Sequence, residues 1–469
     1  MNKKKELIKN TIIIFIGRAS TQLISLFLLP LYTSYINTSE YGIVDLINTY
    51  ITLIVPVLTL ELDMATFRFL IDYRNDVNGR KKVLSNVLLC LVIISTIFVP
   101  IYLLVNKVLN FKYSILILFN IITSIYSTVM IQVARGLGKN TDYSIACGLG
   151  GITTIILNII LIVIFKMGGA GMLISMIGSN FIISLYLIIR VEIYKLIDFK
   201  LKDLEITKKL IKYSVPLIPN LISWWIVSVS DRTIISFFLG TTANGIYSVS
   251  NKFPTIFNGV YNVFHLSWSE QASLHYNESD RNEYFSMVVN NGIKIFGSIC
   301  LLVITILPII FNIFISSNYS DSYYQIPILM CGTLCNIIIG LISVVYIARK
   351  KSNELAKTSV IAAIINILTN IIFIKYIGLY AASISTFVAY FSMLIFRWFD
   401  IKKYVKIKLE KMNLFILLIG IIISIFTYYL NAFIINIIVF ILSGVLLIYI
   451  NKGSIKNIKI FLKNKVKKG

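Results

Sequence analysis

Charge is scarce in this sequence and acidic charge scarcer still: 14% of the 469 residues are charged, with 21 Asp and Glu against 44 Lys and Arg. A soluble domain carries roughly 25% charged residues, so a chain that is 57% hydrophobic cannot dress a water-facing exterior. Two histidines, His265 and His275, are too few for a histidine-based metal centre. The five cysteines, Cys90, Cys147, Cys300, Cys331 and Cys335, all fall inside long apolar runs, which speaks against disulfides. Cys331 and Cys335 share a helix face, yet with no His or carboxylate beside them they make a poor zinc site. A phosphate-cradling loop is missing too, since "GLGKNT" from Gly136 lacks the spacing and the hydroxyl after the lysine. No metal, no resident cofactor and no enzymatic activity are expected, and a nucleotide-driven motor is excluded.

What the chain has instead is long hydrophobic runs. A hydrocarbon core about 30 Å thick takes roughly 20 apolar residues per helix. Such runs lie at about 11–36, 43–62, 83–105, 113–133, 143–165, 170–189, 214–239, 246–267, 287–315, 326–348, 359–377, 379–396, 413–430 and 433–450. They are continuous rather than alternating, which selects helices over a barrel. The expected fold class is therefore an all-α polytopic membrane protein of about 14 transmembrane helices. The first run is too long for a cleaved leader and carries Arg18, so it is expected to stay in the mature chain.

Basic residues fix an expected orientation, because short positive loops remain cytoplasmic. With "MNKKKELIKN" inside, the inner segments hold every Lys and Arg but eight. Lys107, Lys112, Lys166 and Lys375 fall in outer turns; Arg18, Arg232, Lys252 and Lys294 fall within spans. Both termini are expected in the cytoplasm and the chain in the cell membrane. The net charge of +23 then reflects topology and attraction to anionic lipid, and nucleic acid is not an expected partner.

A faint internal repeat divides the chain. "INTSEYGIVDLIN" from Ile36 aligns without gaps on "LGTTANGIYSVSN" from Leu239, each at the outer turn between the first two helices of a six-helix block. Two such blocks of one orientation are a recurring transporter design. The expected division is an N-terminal lobe over 1–203, a second lobe over 204–405, and two added helices with a basic tail over 406–469.

Charged residues at bilayer depth are costly and mark function by default. On the first span Arg18, Thr21, Gln22 and Ser25 share a face; the second carries Asp45, Asn48, Thr49 and Thr52. The seventh carries Asn220, Ser223, Ser230 and Asp231 with Arg232 beside them, and the eighth carries Asn251, Thr255, Asn258, Asn262 and His265 with Lys252. Two accounts fit. Hydroxyls and amides glue membrane helices together and the charges form structural ion pairs, or the same faces line a wet cavity. Lys294 reads as snorkelling, and Glu61 and Asp63 as interfacial. Prolines at 30, 56, 219 and 254 put a bend within each striped helix.

The stretches "GRASTQLISLFLLPLYTSYINTSEYGIVDLINTY" and "SDRTIISFFLGTTANGIYSVSNKF", with "VARGLGKNTDYS" and "GGAGMLISMIGSN", resemble bacterial polysaccharide flippases of the multidrug, oligosaccharidyl-lipid and polysaccharide exporter superfamily. The resemblance implies two six-helix lobes around a cavity. It also implies a cargo, an oligosaccharide unit on undecaprenyl diphosphate carried from the inner to the outer leaflet by alternating access. Lipid II flippases of that superfamily carry cavity arginines on the first and eighth helices, where this chain has Arg18 and Lys252. On that basis Arg18, Arg232 and Lys252 are expected to meet the diphosphate, Gln22 and Asn251 the sugar, and Asp45 and Asp231 to set those cations or take a coupling Na⁺ or H⁺. Other membrane proteins of polysaccharide assembly are expected partners. The alternatives are a cation-coupled multidrug antiporter of the same superfamily and, from another class, a membrane-embedded polymerase, ligase or transferase.

Overall fold

The computed structural model describes residues 24 to 453 except 26, 350 and 351, and contains no strand among them. Eleven described helices are long and apolar enough to cross a membrane, and the protein is a polytopic all-α membrane protein. Two further expected spans, 214–239 and 246–267, are helical over most of their length as well. The chain divides into two compact units, residues 1–232 and 233–469.

In the first unit, α1 is described over 24–35. Asn37 then stops one helix and starts the next, its Oδ1 accepting from Glu40 N at 2.8 Å to cap α2 (Thr38–Leu58). Next come α3 (Leu62–Asp72), α4 (Val77–Leu109) and α5 (Ser114–Gly136). α6 (Asn140–Asn158) runs into a π-helical turn, Ile159–Ile164, and α7 (Gly168–Arg190) follows. α8 (Leu204–Ser214) is short and capped by Asp203, and it packs on α3 and α4. The core is built at helical spacing. Val83, Val87 and Leu91 of α4 meet Ile121, Ile125, Val129 and Val133 of α5, all at most 1% exposed.

α9 (Ile218–Ser250) breaks at Gly240, whose φ of 88° is open to glycine and strained for other residues. The break falls where the sequence places the outer turn between its seventh and eighth spans. The second unit continues with α10 (Lys252–His275), α11 (Arg281–Phe314), a 3₁₀ segment Ser317–Gln325, α12 (Ile326–Ala348), α13 (Ser352–Ile377), α14 (Leu379–Ile401), α15 (Lys411–Leu430) and α16 (Phe433–Ile450). The last two helices dock on α11, Thr305 Oγ1 meeting Ser443 Oγ at 3.0 Å. Tyr323 and Tyr428 stack at 4.1 Å and each hydroxyl donates to the other's carbonyl, at 2.9 and 2.8 Å. The five cysteines are free thiols.

One local device occurs in both units. In the first, Asn86 of α4 donates to Leu201 O at 3.3 Å and accepts from Asp203 N at 3.1 Å, clipping the chain just before α8. In the second, Asn290 of α11 donates to Lys408 O at 2.7 Å and accepts from Glu410 N at 2.9 Å, clipping the chain just before α15. The carboxylate that ends each clip faces a lysine on the clipping helix, Lys82 to Asp203 at 3.7 Å and Lys294 to Glu410 at 3.0 Å. Lys294, expected to snorkel alone, therefore has a partner.

Candidate functional site

α2 presents its polar face to the first part of α9 within the first unit. Asp45 and Arg232 meet there, Nε donating to Oδ2 at 2.8 Å, with both side chains about one-sixth exposed (17% and 16%). One turn further along α2, Trp225 donates its indole N–H to Thr49 O at 2.9 Å, and its ring lies 5.8 Å from that of Tyr50. Trp225 thus uses its one polar atom on the α2 backbone and fixes the register that brings Arg232 to Asp45. Asp231, the neighbour of Arg232, is 5% exposed. An ion pair of this kind offsets the cost of burying either charge alone, and both side chains keep part of their surface uncovered by protein.

Beyond Thr49 the same face of α2 borders a cavity of about 320 Å³ whose wall is mostly apolar, with Ile51, Val55, Ile125 and Val129; its polar lining is Thr52 of α2, Thr59 just after it, Asp63 of α3, and Ser124 and Thr128 of α5. The three threonines donate to helix carbonyls, Thr52 to Thr49 O at 2.7 Å, Thr59 to Val55 O at 2.9 Å and Thr128 to Ser124 O at 2.7 Å. Their lone pairs remain as acceptors. Behind Ser124, Asn180 of α7 donates to Ser124 Oγ at 3.0 Å and accepts from Ser127 Oγ at 3.2 Å, so the polar stripe continues as helix–helix glue.

Of the residues singled out from sequence, the structure brings Asp45 and Arg232 into contact and places Asp231 beside them. Lys252 and Asn251 belong to the second unit, at the start of α10, where Lys252 is half-buried and Asn251 donates to Tyr247 O at 3.0 Å. Arg18 and Gln22 lie outside the described residues. Glu61 and Asp63, expected at the interface, are instead buried at 7% and 8% exposure. Arg397, counted from sequence among inner basic residues, is 2% exposed inside the second unit. α14 runs on to Ile401, past the expected end at 396, and so carries Arg397 a full turn within the helix.

A family described as "Polysaccharide biosynthesis protein" matches residues 7–268. Among solved structures, the chain is similar to the lipid II flippase MurJ in an inward closed conformation, with TM-score 0.69 and 16% identity over 96% of this chain and all of that one. It is also similar to an inward-facing multidrug resistance MATE family transporter of the MOP superfamily, with TM-score 0.67 and 14% identity over 83% of this chain and 98% of that one. A third neighbour is a MOP superfamily transporter from Pyrococcus furiosus, noted for the reverse polarity of its binding pocket, with TM-score 0.59 and 15% identity over 85% of this chain and 96% of that one. No curated protein matches the sequence.

Proposed function

Because the chain belongs to the polysaccharide biosynthesis protein family, we propose that it is a flippase for oligosaccharide units carried on undecaprenyl diphosphate, working by alternating access. The observation that carries this reading is the partly exposed Asp45–Arg232 pair on the hydroxyl-bearing face of α2. A diphosphate cannot cross hydrocarbon unaided, and a guanidinium held ready by a carboxylate takes a phosphate oxygen by exchange of one charge-assisted hydrogen bond for another. Asp45 keeps Arg232 oriented between cargoes and restores it after release. Arg18 and Lys252 add further cations, and the Thr and Asn faces, with Gln22 and Asn251, suit a hydroxyl-rich glycan. The prenyl tail needs no site, since lipid receives it. The flipping step makes and breaks no covalent bond, so no enzymatic activity accompanies it.

Replacing Arg232 or Lys252 with Ala in the producing cell tests the reading. Loss of one charge-assisted bond, worth about 1.5–3 kcal/mol, lowers surface polysaccharide by roughly tenfold to a hundredfold and leaves lipid-linked intermediate accumulating in the membrane. Undiminished surface polysaccharide at normal protein level in both variants overturns it. A multidrug antiporter would instead show unchanged polysaccharide and raised sensitivity to cationic drugs.

A further inference from the structure

The turn that ends α2 is unusual in three independent ways. Leu60 and Glu61 sit consecutively in left-handed backbone, with φ of 52° and 55°, conformations that cost a non-glycine residue roughly 1–2 kcal/mol each. The Glu61 and Asp63 carboxylates, two residues apart in this turn, are both buried, at 7% and 8% exposure. Asp63 also lines the cavity of about 320 Å³, where Thr52, Thr59, Ser124 and Thr128 supply the other polar groups in a mostly apolar wall. Two neighbouring buried carboxylates do not both ionise cheaply, which favours a proton on one of them.

Counter-charges around the pair do not remove this constraint. On α5, Gln132 donates to Met64 Sδ at 3.7 Å, next to Asp63, and Arg135 attracts the Asp63 carboxylate. Arg135 itself donates to Gln132 Oε1 at 2.8 Å and lies over the rings of Phe67 and Tyr143, at 4.7 and 5.8 Å. The other helices packed on α3 bring Glu205, Lys208, Lys209 and Lys212 on α8 and Arg80, Lys81 and Lys82 on α4. On α3 itself Arg68 and Asp72 pair with each other at 2.7 Å in the open. Desolvation and the neighbouring Asp63 still push the Glu61 carboxyl up from 4.5 to about 7, and burial raises Asp63.

We propose that Glu61 and Asp63 form a proton-binding site at the C-terminal end of α2, filled and emptied through the adjoining cavity, and that its occupancy drives movement of α2. Uptake is simple in balance: one proton from water joins one carboxylate oxygen, neutralising one of two facing charges. When the proton leaves, repulsion between the carboxylates acts on a turn already strained, and α2 is a single helix that carries Asp45, the partner of Arg232, toward its other end. The coupling proton of the proposed flippase is then taken at Glu61 and Asp63, while Asp45 is kept for Arg232. This last step rests on the transporter reading; the protonation does not.

Infrared difference spectroscopy on the purified full chain, titrated from about pH 5 to about pH 9, reads the protonated carboxyl directly. The expected result is a carboxyl band in wild type that disappears with a midpoint near 7, is absent in Glu61→Gln, and moves to lower pH in Asp63→Asn, because the like charge is gone. Size-exclusion and circular dichroism of each variant verify the fold. A band unchanged in both folded variants, no titrating band in this window, or a signal that follows sodium chloride in place of pH overturns the site. Surface polysaccharide lost in Arg232→Ala but insensitive to Glu61→Gln would leave the flippase reading standing and remove the coupling.

Discussion

Arg397 shows how hydroxyls and a backbone carbonyl satisfy a buried cation. Its guanidinium donates to Thr358 Oγ1 from Nε at 2.9 Å and from Nη2 at 2.7 Å, to Ser343 Oγ at 2.8 Å, to Ser359 Oγ at 3.0 Å and to Leu355 O at 3.1 Å. One planar fork thus ties α12, α13 and α14. The nearby Asp400 accepts from Tyr346 and Lys403. An ammonium cannot reproduce that fork, so Arg397→Lys, which keeps a desolvated charge with fewer partners, is expected to lose about 2 kcal/mol of stability. Arg397→Met is expected to lose less, because Thr358 and Ser359 already donate to helix carbonyls. Thermal unfolding in detergent ranks the two, and a Lys variant more stable than the Met variant refutes the account. Glu61 supplies a second residue-level prediction. The folded state holds its proton more tightly than the unfolded chain does, so its contribution is whole below pH 4.5 and is lost as pH rises through about 7. Across that window wild type should lose stability relative to Glu61→Gln; parallel stability curves would contradict this. The burial of neither residue could be read from sequence. Arg397 and Glu61 both sit at the edges of apolar runs, where charge ordinarily faces water, and only the extra helical turn of α14 and the left-handed turn after α2 carry them inside. Arg232 was legible because charge well inside an apolar run has no such ordinary explanation, and Asp45 through the polar stripe it shares with Asn48, Thr49 and Thr52.

At the scale of elements, the two asparagine clips explain how each unit closes its helix set. An amide side chain that donates to one carbonyl and accepts from the N–H two residues on mimics a strand partner, and here it holds an irregular segment against a helix, satisfying backbone groups that would otherwise lack partners. Asn86→Ala and Asn290→Ala are each expected to cost about 1–3 kcal/mol, read as a lowered unfolding midpoint, with Asn→Asp less harmful in neither case because the donor is lost. The turn before α7 is tied differently. Glu40 accepts from Gly169 N at 3.2 Å and from the Tyr113 hydroxyl at 3.2 Å, binding the starts of α2, α5 and α7. Gly168 has φ 53°, and an added Cβ there would press on Glu40 Oε2. Gly168→Ala should therefore destabilise by about 1–3 kcal/mol, and an unchanged midpoint would show that Glu40 does not hold the turn. The spans themselves followed from apolar runs and Gly or Asn punctuation, since helix is the form that satisfies the backbone in lipid. The clips did not, because Asn86 and Asn290 are unremarkable within their helices and the paired segments at 201–203 and 408–410 share no pattern until their hydrogen bonds are seen.

For the whole molecule the open quantity is orientation, and the distribution of lysine and arginine argues it. Moving basic loops across a membrane is disfavoured, so segments dense in Lys and Arg stay inside. In this chain the connections 63–82, 190–213 and 397–412 are dense in them, whereas the turns at Lys166 and Lys375 carry one each. Exposed lysines exist on both kinds of connection: Lys166 and Lys375 on the sparse ones, Lys200 and Lys406 on the dense ones. The native thiols all lie within membrane-crossing helices, Cys90, Cys147, Cys300, Cys331 and Cys335, out of reach of a charged reagent. Single replacements Lys166→Cys and Lys375→Cys should therefore react with a membrane-impermeant maleimide in intact cells, while Lys200→Cys and Lys406→Cys react only after the membrane is opened. The four positions test one orientation from both units. Labelling of Lys200→Cys in sealed cells, or protection of Lys166→Cys, would invert the topology and place the Glu61–Asp63 proton site on the outer side, reversing the direction in which a proton gradient would drive it.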